Sequence, residues 1–585
     1  MGNSRNHYII SKALRNFMGA SVMTSAAGQL ACAIDAVVLA QFEGEEAISA
    51  LSLVMPVTTL ISCWGLLFAF GANALVARAI GRHDLDGASN IFSASVWSIL
   101  FLGIGFSLLM FAAIPGIMGV IAPDNSLRWL PAEYLSIYVL GAWLEMLSYA
   151  LCLFVATDGH PRRVTLAVCM GVMVNAVVDV LAVGWWNWGI RGIAWGSLSQ
   201  FVVIVLLLCL YLRDSSCSYR LVWPGAQLCR WFVQNIREGV PVTIGNILMA
   251  SAVLIVNGLT YDAQGEEGLF FWSICLQMLL ISVVFVNGVM EALFAIGGVM
   301  AGERDVRGFA LLTRDALLMV GILTSTLVLL MWMPDWVGVM FGVKDAGELE
   351  DVNDVLRSFS LMIPPFSLTL ILVCVYQVQE RMWLSIVSVV GQLAVMIVSV
   401  GIFAYEMPDD VWLGFPIGGF LFLAGLLLYT TIYSRCRKER LSALTLIPLE
   451  EGCSMDCSVR YHADEVHAVL FQLIDFLQRA GVGKDNILKL QICLEELMMN
   501  IVEHSHGRII HHSFDLHVYT DGEKAYVTLK DGGRPFDPVE AGKNTTSCNE
   551  TGKNIGLRMV ANILPDISYK YMYGLNIVMI KVDLS

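Results

Sequence analysis

The chain has 585 residues, is 57% hydrophobic and only 15% charged, and has a mean hydropathy of +0.67. Soluble globular proteins carry about 25% charge, so a wholly soluble protein is excluded; repeated apolar runs of about 20 or more residues read as membrane spans. The net charge of −14 argues against nucleic acid as a partner.

In chain order, the first ten residues are polar, and no cleavable signal peptide is expected. About twelve apolar segments follow, starting near residues 14, 47, 91, 132, 164, 191, 237, 268, 311, 354, 383 and 411. Every second connection is basic: Arg78 and Arg82; Arg162 and Arg163; Arg213, Arg220, Arg230 and Arg237; Arg304 and Arg307; Arg381; and Arg435, Arg437, Lys438 and Arg440. The others are acidic or aromatic, among them Glu43, Trp185, Trp186, Asp262, Glu266, Asp335 and Asp409. The positive-inside rule then predicts a multi-pass protein of the cytoplasmic membrane with both termini in the cytoplasm. Cysteines such as Cys63, Cys152, Cys209 and Cys374 lie inside apolar runs and read as packed free thiols. Cys453, Cys457 and His462 form only a loose metal pattern.

The apolar part repeats itself. Gly44-Glu-Glu46 recurs as Gly265-Glu-Glu267, 221 residues on, and Gly81-Arg-His-Asp84 recurs as Gly302-Glu-Arg-Asp305 at the same offset. Asp158-Gly-His-Pro-Arg162 aligns with Gln379-Glu-Arg-Met-Trp383, again at 221. A constant offset predicts two six-helix bundles of parallel topology, over 10–220 and 221–435, with a substrate site between them near the midplane.

Ionisable groups in hydrocarbon cost roughly 2.5–3.5 kcal/mol each on insertion scales, so they are functional candidates. Asp35 lies mid-segment between Ala33-Ile34 and Ala36-Val37. Asn175 and Asp179 are four residues apart, hence on one helix face. Such a carboxylate cluster binds Na⁺ through oxygens or holds a proton; the alternative is helix–helix hydrogen bonding. Glu145 and Glu291 also sit in apolar surroundings, and Glu145 is a weaker candidate for contact with a cationic solute.

Residues 10–435 resemble the MATE (multidrug and toxic compound extrusion) family. The resemblance rests on the six-plus-six pattern, Arg78-Ala-Ile-Gly81 with Asp84 and Asp86, Gly159-His-Pro161, Asn175-Ala-Val-Val-Asp179 and Gly189-Ile-Arg-Gly192-Ile-Ala194. It implies that Asp35, Asn175 and Asp179 match the family's cation site. Ser197 falls at a hydroxyl-ligand position, and Tyr134 is a looser match to an aromatic site residue. It also implies export of a small organic solute, cationic or amphiphilic, in exchange for H⁺ or Na⁺.

After the basic run Arg435–Arg440 the hydrophobicity drops. Residues 436–457 read as a linker and 458–585 as a soluble domain. Helical periodicity covers 462–480 and 484–504; β-rich runs follow at 513–519, 525–530, 566–573 and 575–583. The expected fold is an all-α polytopic membrane protein with a C-terminal α/β two-layer sandwich. Glu496 and Asn500 share a helix face. An amide oxygen there suits Mg²⁺, and a carboxylate one turn away suits a general base. Asp531 ends a strand, where it can accept from an adenine amino group, and Gly533 lets the backbone approach the ring. The polar stretch from Glu540 to Gly552 reads as a lid, and Gly556-Leu557 opens a helix whose N–H groups favour phosphate.

The ordered set resembles the GHKL ATPases, and within them the anti-sigma-factor serine kinases. It is carried by Glu496, Asn500 and His504 and by Asp531-Gly-Gly-Arg-Pro-Phe-Asp537. The resemblance implies Glu496 as base, Asn500 as Mg²⁺ ligand, Asp531 as adenine contact, and Gly533 and Gly556 as backbone-approach positions. Asn554 stands where many relatives carry glycine, which bears on lid closure. Two readings stay open: an antiporter with an ATP-binding tail that senses nucleotide or phosphorylates a protein, and a membrane-anchored serine/threonine kinase whose transporter-like part is a sensor. A histidine kinase is disfavoured, because only about 60 residues separate Arg440 from Asn500. ATP-driven pumping lacks a Gly-x-x-x-x-Gly-Lys-[Ser/Thr] loop.

Overall fold

The computed structural model describes residues 8–121, 129–214, 217–223, 225–341, 343–436, 446, 454–504, 513–543, 555–564 and 566–583. Among them, eleven helices are long and apolar enough to cross a membrane. They are α1 (Tyr8–Phe42), α2 (Ala50–Gly81), α3 (Leu85–Gly119), α4 (Trp129–Thr157), α5 (Pro161–Trp185), α6 (Ile190–Tyr211), α7 (Leu228–Gly302), α8 (Val306–Met331), α9 (Ala346–Val378), α10 (Met382–Glu406) and α11 (Pro408–Cys436). At 75 residues α7 would reach roughly 110 Å, far more than one span needs. Gly265 breaks it, with φ 68° and ψ −143°, and the break yields the twelve expected segments.

The internal repeat is visible in the backbone. Gly44 and Gly265 hold φ of 84° and 68°, His83 and Arg304 hold 58° and 57°, and Gly159 and Glu380 hold 94° and 62°. Each pair is 221 residues apart. Positive φ is uncommon outside glycine, so three paired irregularities mark two copies of one six-helix design. The helix starts agree: Asp84 caps through the Gly87 N–H at 2.8 Å, and Asp305 caps through the Gly308 N–H at 2.7 Å. The second bundle has its own aromatic centre, where Trp272, Phe359, Trp412 and Phe415 pack together.

The tail is a five-stranded antiparallel sheet in the order β1-β2-β3-β5-β4, with β1 (Ser454–Arg460), β2 (Ser513–Thr520), β3 (Lys524–Asp531), β4 (Ile567–Met572) and β5 (Leu575–Asp583). β1 was not among the strands expected from sequence; its register against β2, Cys457 opposite Leu516, completes the sheet edge. Helices α12 (Ala463–Arg479), α13 (Lys484–His504), α14 (Pro538–Lys543) and α15 (Ile555–Ile563) complete the tail. Val466, Leu470, Leu473 and Leu477 recur at helical spacing and bury one face of α12.

The central strands alternate, and in β2, most of β3 and the first six residues of β5 both alternations are buried. Phe514, Leu516, Val518, Val527, Leu529, Val578 and Ile580 pack under the helices. The residues between them face the membrane part. Leu575, Ile577 and Met579 join one apolar cluster with Ile9, Ile10, Ala13, Leu14 and Phe17 of α1. Burying each such side chain contributes roughly 1.5–3 kcal/mol.

The rest of that outer face is polar and paired. Lys530 bonds Glu303 at 2.5 Å, with side chains 6% and 1% exposed. His517 meets the Asp456 carboxylate at 2.7 Å through Nδ1 and the Glu303 carbonyl at 2.9 Å through Nε2. The Arg304 guanidinium lies 5.0 Å from the Tyr519 ring centroid. His83 stands edge-on to Tyr526, 5.7 Å between centroids. Burial, then Lys581 and Lys530, push His83 down to about 4. The tail therefore sits on the amino end of α1 and on the connections after α2, α4 and α7, all on one side of the membrane part.

Removing one partner of a buried ion pair leaves the other charge uncompensated, at a cost of roughly 3–5 kcal/mol. Glu303→Gln should therefore loosen tail docking, read as faster hydrogen exchange in β3 and β5 of the full chain. Adding Lys530→Met should recover part of the loss.

Lys570 of β4 lies 3.5 Å from Asp158 and is 12% exposed. Burial pushes it down to about 7 from 10.5. Asp158 is also held by Tyr211 and by the N–H and hydroxyl of Ser218. The docked pKa is depressed, so release is favoured below about pH 7 and docking gains stability as pH rises from about 7 toward 10.5. Spin-label distances between tail and membrane part should show the docked fraction rising over that window, and Lys570→Met should flatten the rise.

Candidate functional sites

The first site lies inside the first bundle. Asn175 and Asp179, both fully buried, share a face of α5, and Asp179 is followed by a π-helical stretch, Val180–Trp185. Such stretches are frequent at functional sites because the extra residue re-aims side chains. Asp35 of α1 lies beside Asp179, Asn175 and Ser197. The sequence-derived set is thus brought together, with Tyr134 of α4 next to Asp35 and Ser197. Tyr134 stacks on Tyr138 at 5.5 Å.

The polar atoms of this cluster are left open. Both carboxylate oxygens of Asp179, both amide atoms of Asn175 and Oδ1 of Asp35 are buried without a hydrogen-bond partner of good geometry. An unpaired buried carboxylate is expensive, and orphaned oxygens from three side chains fit a small cation or a proton. Ser197 is less committed, since its hydroxyl donates to the Ile193 carbonyl at 3.1 Å. One residue was missed from sequence: a Cβ at Gly196 of α6 would overlap the Asp179 carboxylate. The glycine-rich entry of α6 was the available signal. Glu145, 2% exposed, accepts from Ser62 at 2.5 Å and from Tyr138 at 2.7 Å, so its bonds come from neutral hydroxyls.

The second site lies in the tail. Glu496 and Asn500 project from one face of α13, half-buried. The carboxylate of Glu496 lies against Gly556 in the first turn of α15, where any Cβ would overlap it. Negative charge is favoured there by the helix dipole. Leu557 points away into the helix-layer core at 1% exposure, so only its backbone N–H is available to the site. His504, one turn beyond Asn500, stacks on Phe536 at 6.0 Å and 9°. The helix motif, the 531–537 motif and the 556–557 motif therefore close on one another.

Asp531 ends β3 and is 8% exposed. It accepts from the Tyr461 hydroxyl at 3.1 Å and from Asn576 Nδ2 at 2.9 Å. Neither partner was read from sequence, because β1 and β5 converge on Asp531 only through sheet pairing. Gly533 adjoins the Asp531 carboxylate. Lys12 of α1 donates to the carbonyl of Gly532 between them. Of the expected lid, residues 540–543 lie in α14, while residues 544–552, including Asn544, Thr545, Thr546, Asn549 and Gly552, and the following Asn554 lie outside the described residues.

Known proteins divide the chain in the same way. Residues 20–181 match the MatE family model, and residues 460–581 match the histidine kinase-like ATPase domain model. Among curated relatives, the multidrug export protein MepA of Staphylococcus saprophyticus is 24% identical over 248 residues, 42% of this chain and 54% of MepA. MepA of Staphylococcus aureus is 22% identical over 253 residues, 43% of this chain and 55% of MepA. The chain thus spans about half the length of the curated relatives it matches. Among solved structures, a MOP-superfamily transporter from Pyrococcus furiosus superposes with a TM-score of 0.67 at 19% identity, covering 75% of this chain and all of that one. An outward-facing multidrug-resistance MATE transporter gives 0.67 at 20% identity, over 74% of this chain and 98% of its own.

Forcing one methyl into a filled site costs roughly 1–3 kcal/mol. Gly556→Ala should therefore weaken Mg-ATP binding about tenfold or more, measured by titration calorimetry on the full chain, with an unchanged circular-dichroism spectrum as the folding control. By these matches the chain carries a MatE domain over residues 20–181 and a histidine kinase-like ATPase domain over residues 460–581.

Proposed function

We propose that the chain is a secondary active antiporter of the cytoplasmic membrane. It exports small organic, cationic or amphiphilic solutes in exchange for H⁺ or Na⁺. Its bundles are taken as 10–220 and 221–435, and its cytoplasmic domain as starting with β1 at Ser454, four residues earlier than the 436–457 linker expected from sequence allows, with both termini cytoplasmic. Asp35, Asn175 and Asp179 form the coupling site, with Ser197 and Tyr134 at its edge. The observation that carries this reading is the set of orphaned buried oxygens around Asp35 and Asp179. A cation or proton that neutralises them couples its own descent to the movement of α1 against α5.

The tail binds ATP and regulates the membrane part. Asn500 holds Mg²⁺, Asp531 receives the adenine amino group, Gly533 admits the ring, and the backbone of Gly556 and Leu557 receives phosphate. Glu496 has the position of a general base for a protein hydroxyl. Bound Mg²⁺ would supply charge neutralisation at the phosphates. Regulation is favoured over a free-standing kinase because the outer sheet face is packed against the membrane part through Lys530–Glu303 and the Ile577 cluster.

The test is Asp35→Asn in proteoliposomes. Ethidium export driven by an imposed H⁺ or Na⁺ gradient should fall to background, while Mg-ATP binding stays unchanged. Retained gradient-driven export would remove Asp35 from the coupling role.

A further inference from the structure

The β4–β5 hairpin joins the two sites physically. Its tip is the tight pair Tyr573-Gly574, with φ of 58° and 78°. The tip is inserted between two elements of the membrane part. The Tyr573 hydroxyl donates to the Thr157 carbonyl at the end of α4, at 2.6 Å. Its ring packs on Phe17 of α1 at 5.8 Å. Any Cβ at Gly574 would approach Asn16 of α1 to 2.5 Å, and one at Gly159 would approach Met572 to 2.6 Å. The wedge is dry: Met572, Tyr573 and Leu575 are 2%, 4% and 3% exposed.

Two residues past the tip, Asn576 holds the nucleotide side. It donates to Asp531 at 2.9 Å and to the Arg534 carbonyl at 2.9 Å, and it accepts from Tyr569 at 2.7 Å. Lys12 of α1 grips Gly532, the residue after Asp531. One helix, α1, thus touches the wedge at Asn16 and Phe17, touches the adenine loop at Lys12, and carries Asp35 about 35 Å further along.

We propose that the β4–β5 hairpin is a nucleotide-controlled wedge between α1 and the α4–α5 corner, with Asn576 and Lys12 reporting nucleotide occupancy at Asp531 to that wedge. The proposal rests on the reading of the tail as a nucleotide site and adds its regulation. Its sign follows from the bonding of Asp531. A carboxylate offers about four lone-pair sites, and Tyr461 and Asn576 occupy two. A purine amino group adds a donor without displacing either, and it immobilises the loop that Lys12 holds. Nucleotide therefore strengthens the docked hairpin and restrains opening of the membrane part at that end. By linkage, loosening the wedge weakens nucleotide binding by the same factor.

The experiment is hydrogen exchange on the full-length protein in detergent, with and without Mg-ATP, beside a direct Mg-ATP titration. Mg-ATP should slow exchange about fivefold or more in both 8–17 and 570–577. In Asn576→Leu and Tyr573→Ala, Mg-ATP should still bind, more weakly, and the response of 8–17 should vanish. Tyr573→Phe, which deletes only the hydroxyl bonded to Thr157, should reduce the response and serves if Tyr573→Ala fails to fold. Binding of Mg-ATP with unchanged exchange at 8–17 overturns the wedge and leaves the nucleotide site standing. An intact response in Asn576→Leu overturns the route through Asn576. No binding of Mg-ATP overturns the nucleotide reading and this inference together.

Discussion

A sheet with two buried faces is the constraint from which the rest of this molecule follows. The helices of the tail cover one face with an ordinary apolar layer. The other face carries Asp456, Asp515, His517 and Lys530 among its apolar residues, all nearly inaccessible to water. Groups of that kind are buried only where partners meet them. Here the membrane part supplies Glu303, the Glu303 carbonyl and the amino-terminal turns of α1. Neither half is finished without the other, so the tail is better regarded as a floor under one end of the membrane part than as a tethered domain.

That arrangement places the two candidate sites on one mechanical element. α1 has no proline between Tyr8 and Phe42 and runs continuously from the Gly532 loop, which Lys12 contacts, to Asp35. A continuous helix transmits displacement along its axis without a hinge to absorb it. The contacts near the tail are specific in kind: an ammonium on a carbonyl, a ring on a ring, a glycine where a side chain would collide. The contacts near Asp35 are unfinished, with orphaned oxygens facing one another. Packed interfaces of this sort move between discrete arrangements rather than deforming smoothly. The two candidate sites therefore lie toward the two ends of one helix.

Much of this was legible in the chain itself. Hydropathy and the alternation of basic connections marked the spans. The 221-residue offset marked the repeat, later seen again as paired positive φ values at His83 and Arg304. Helix spacing put Asn175 with Asp179 and Glu496 with Asn500. What escaped was whatever depends on pairing across the sheet or between the halves. β1 was missed because Ser454–Arg460 is short and mixed in character. Asn576 and Tyr461 were missed because an isolated asparagine or tyrosine carries no periodic signal. Gly196 was missed because the reason for it is the Asp179 side chain on another helix.

The sequence by itself determined the elements and the chemistry, since hydrophobic period, loop charge and motif spacing are local quantities that the backbone converts directly into helix, strand and shared face. It determined that a carboxylate cluster lies in the membrane part and that a nucleotide motif lies in the tail. Only the tertiary structure decided that the outer face of the sheet is an interface rather than a solvated surface. The alternating Lys530, His517 and Asp515 read locally as water-facing positions, and the burial of Lys530 and His517 depends on Glu303, more than 200 residues away in the chain. Burial of a polar group is a property of its partners, and partners at that separation are fixed by packing alone.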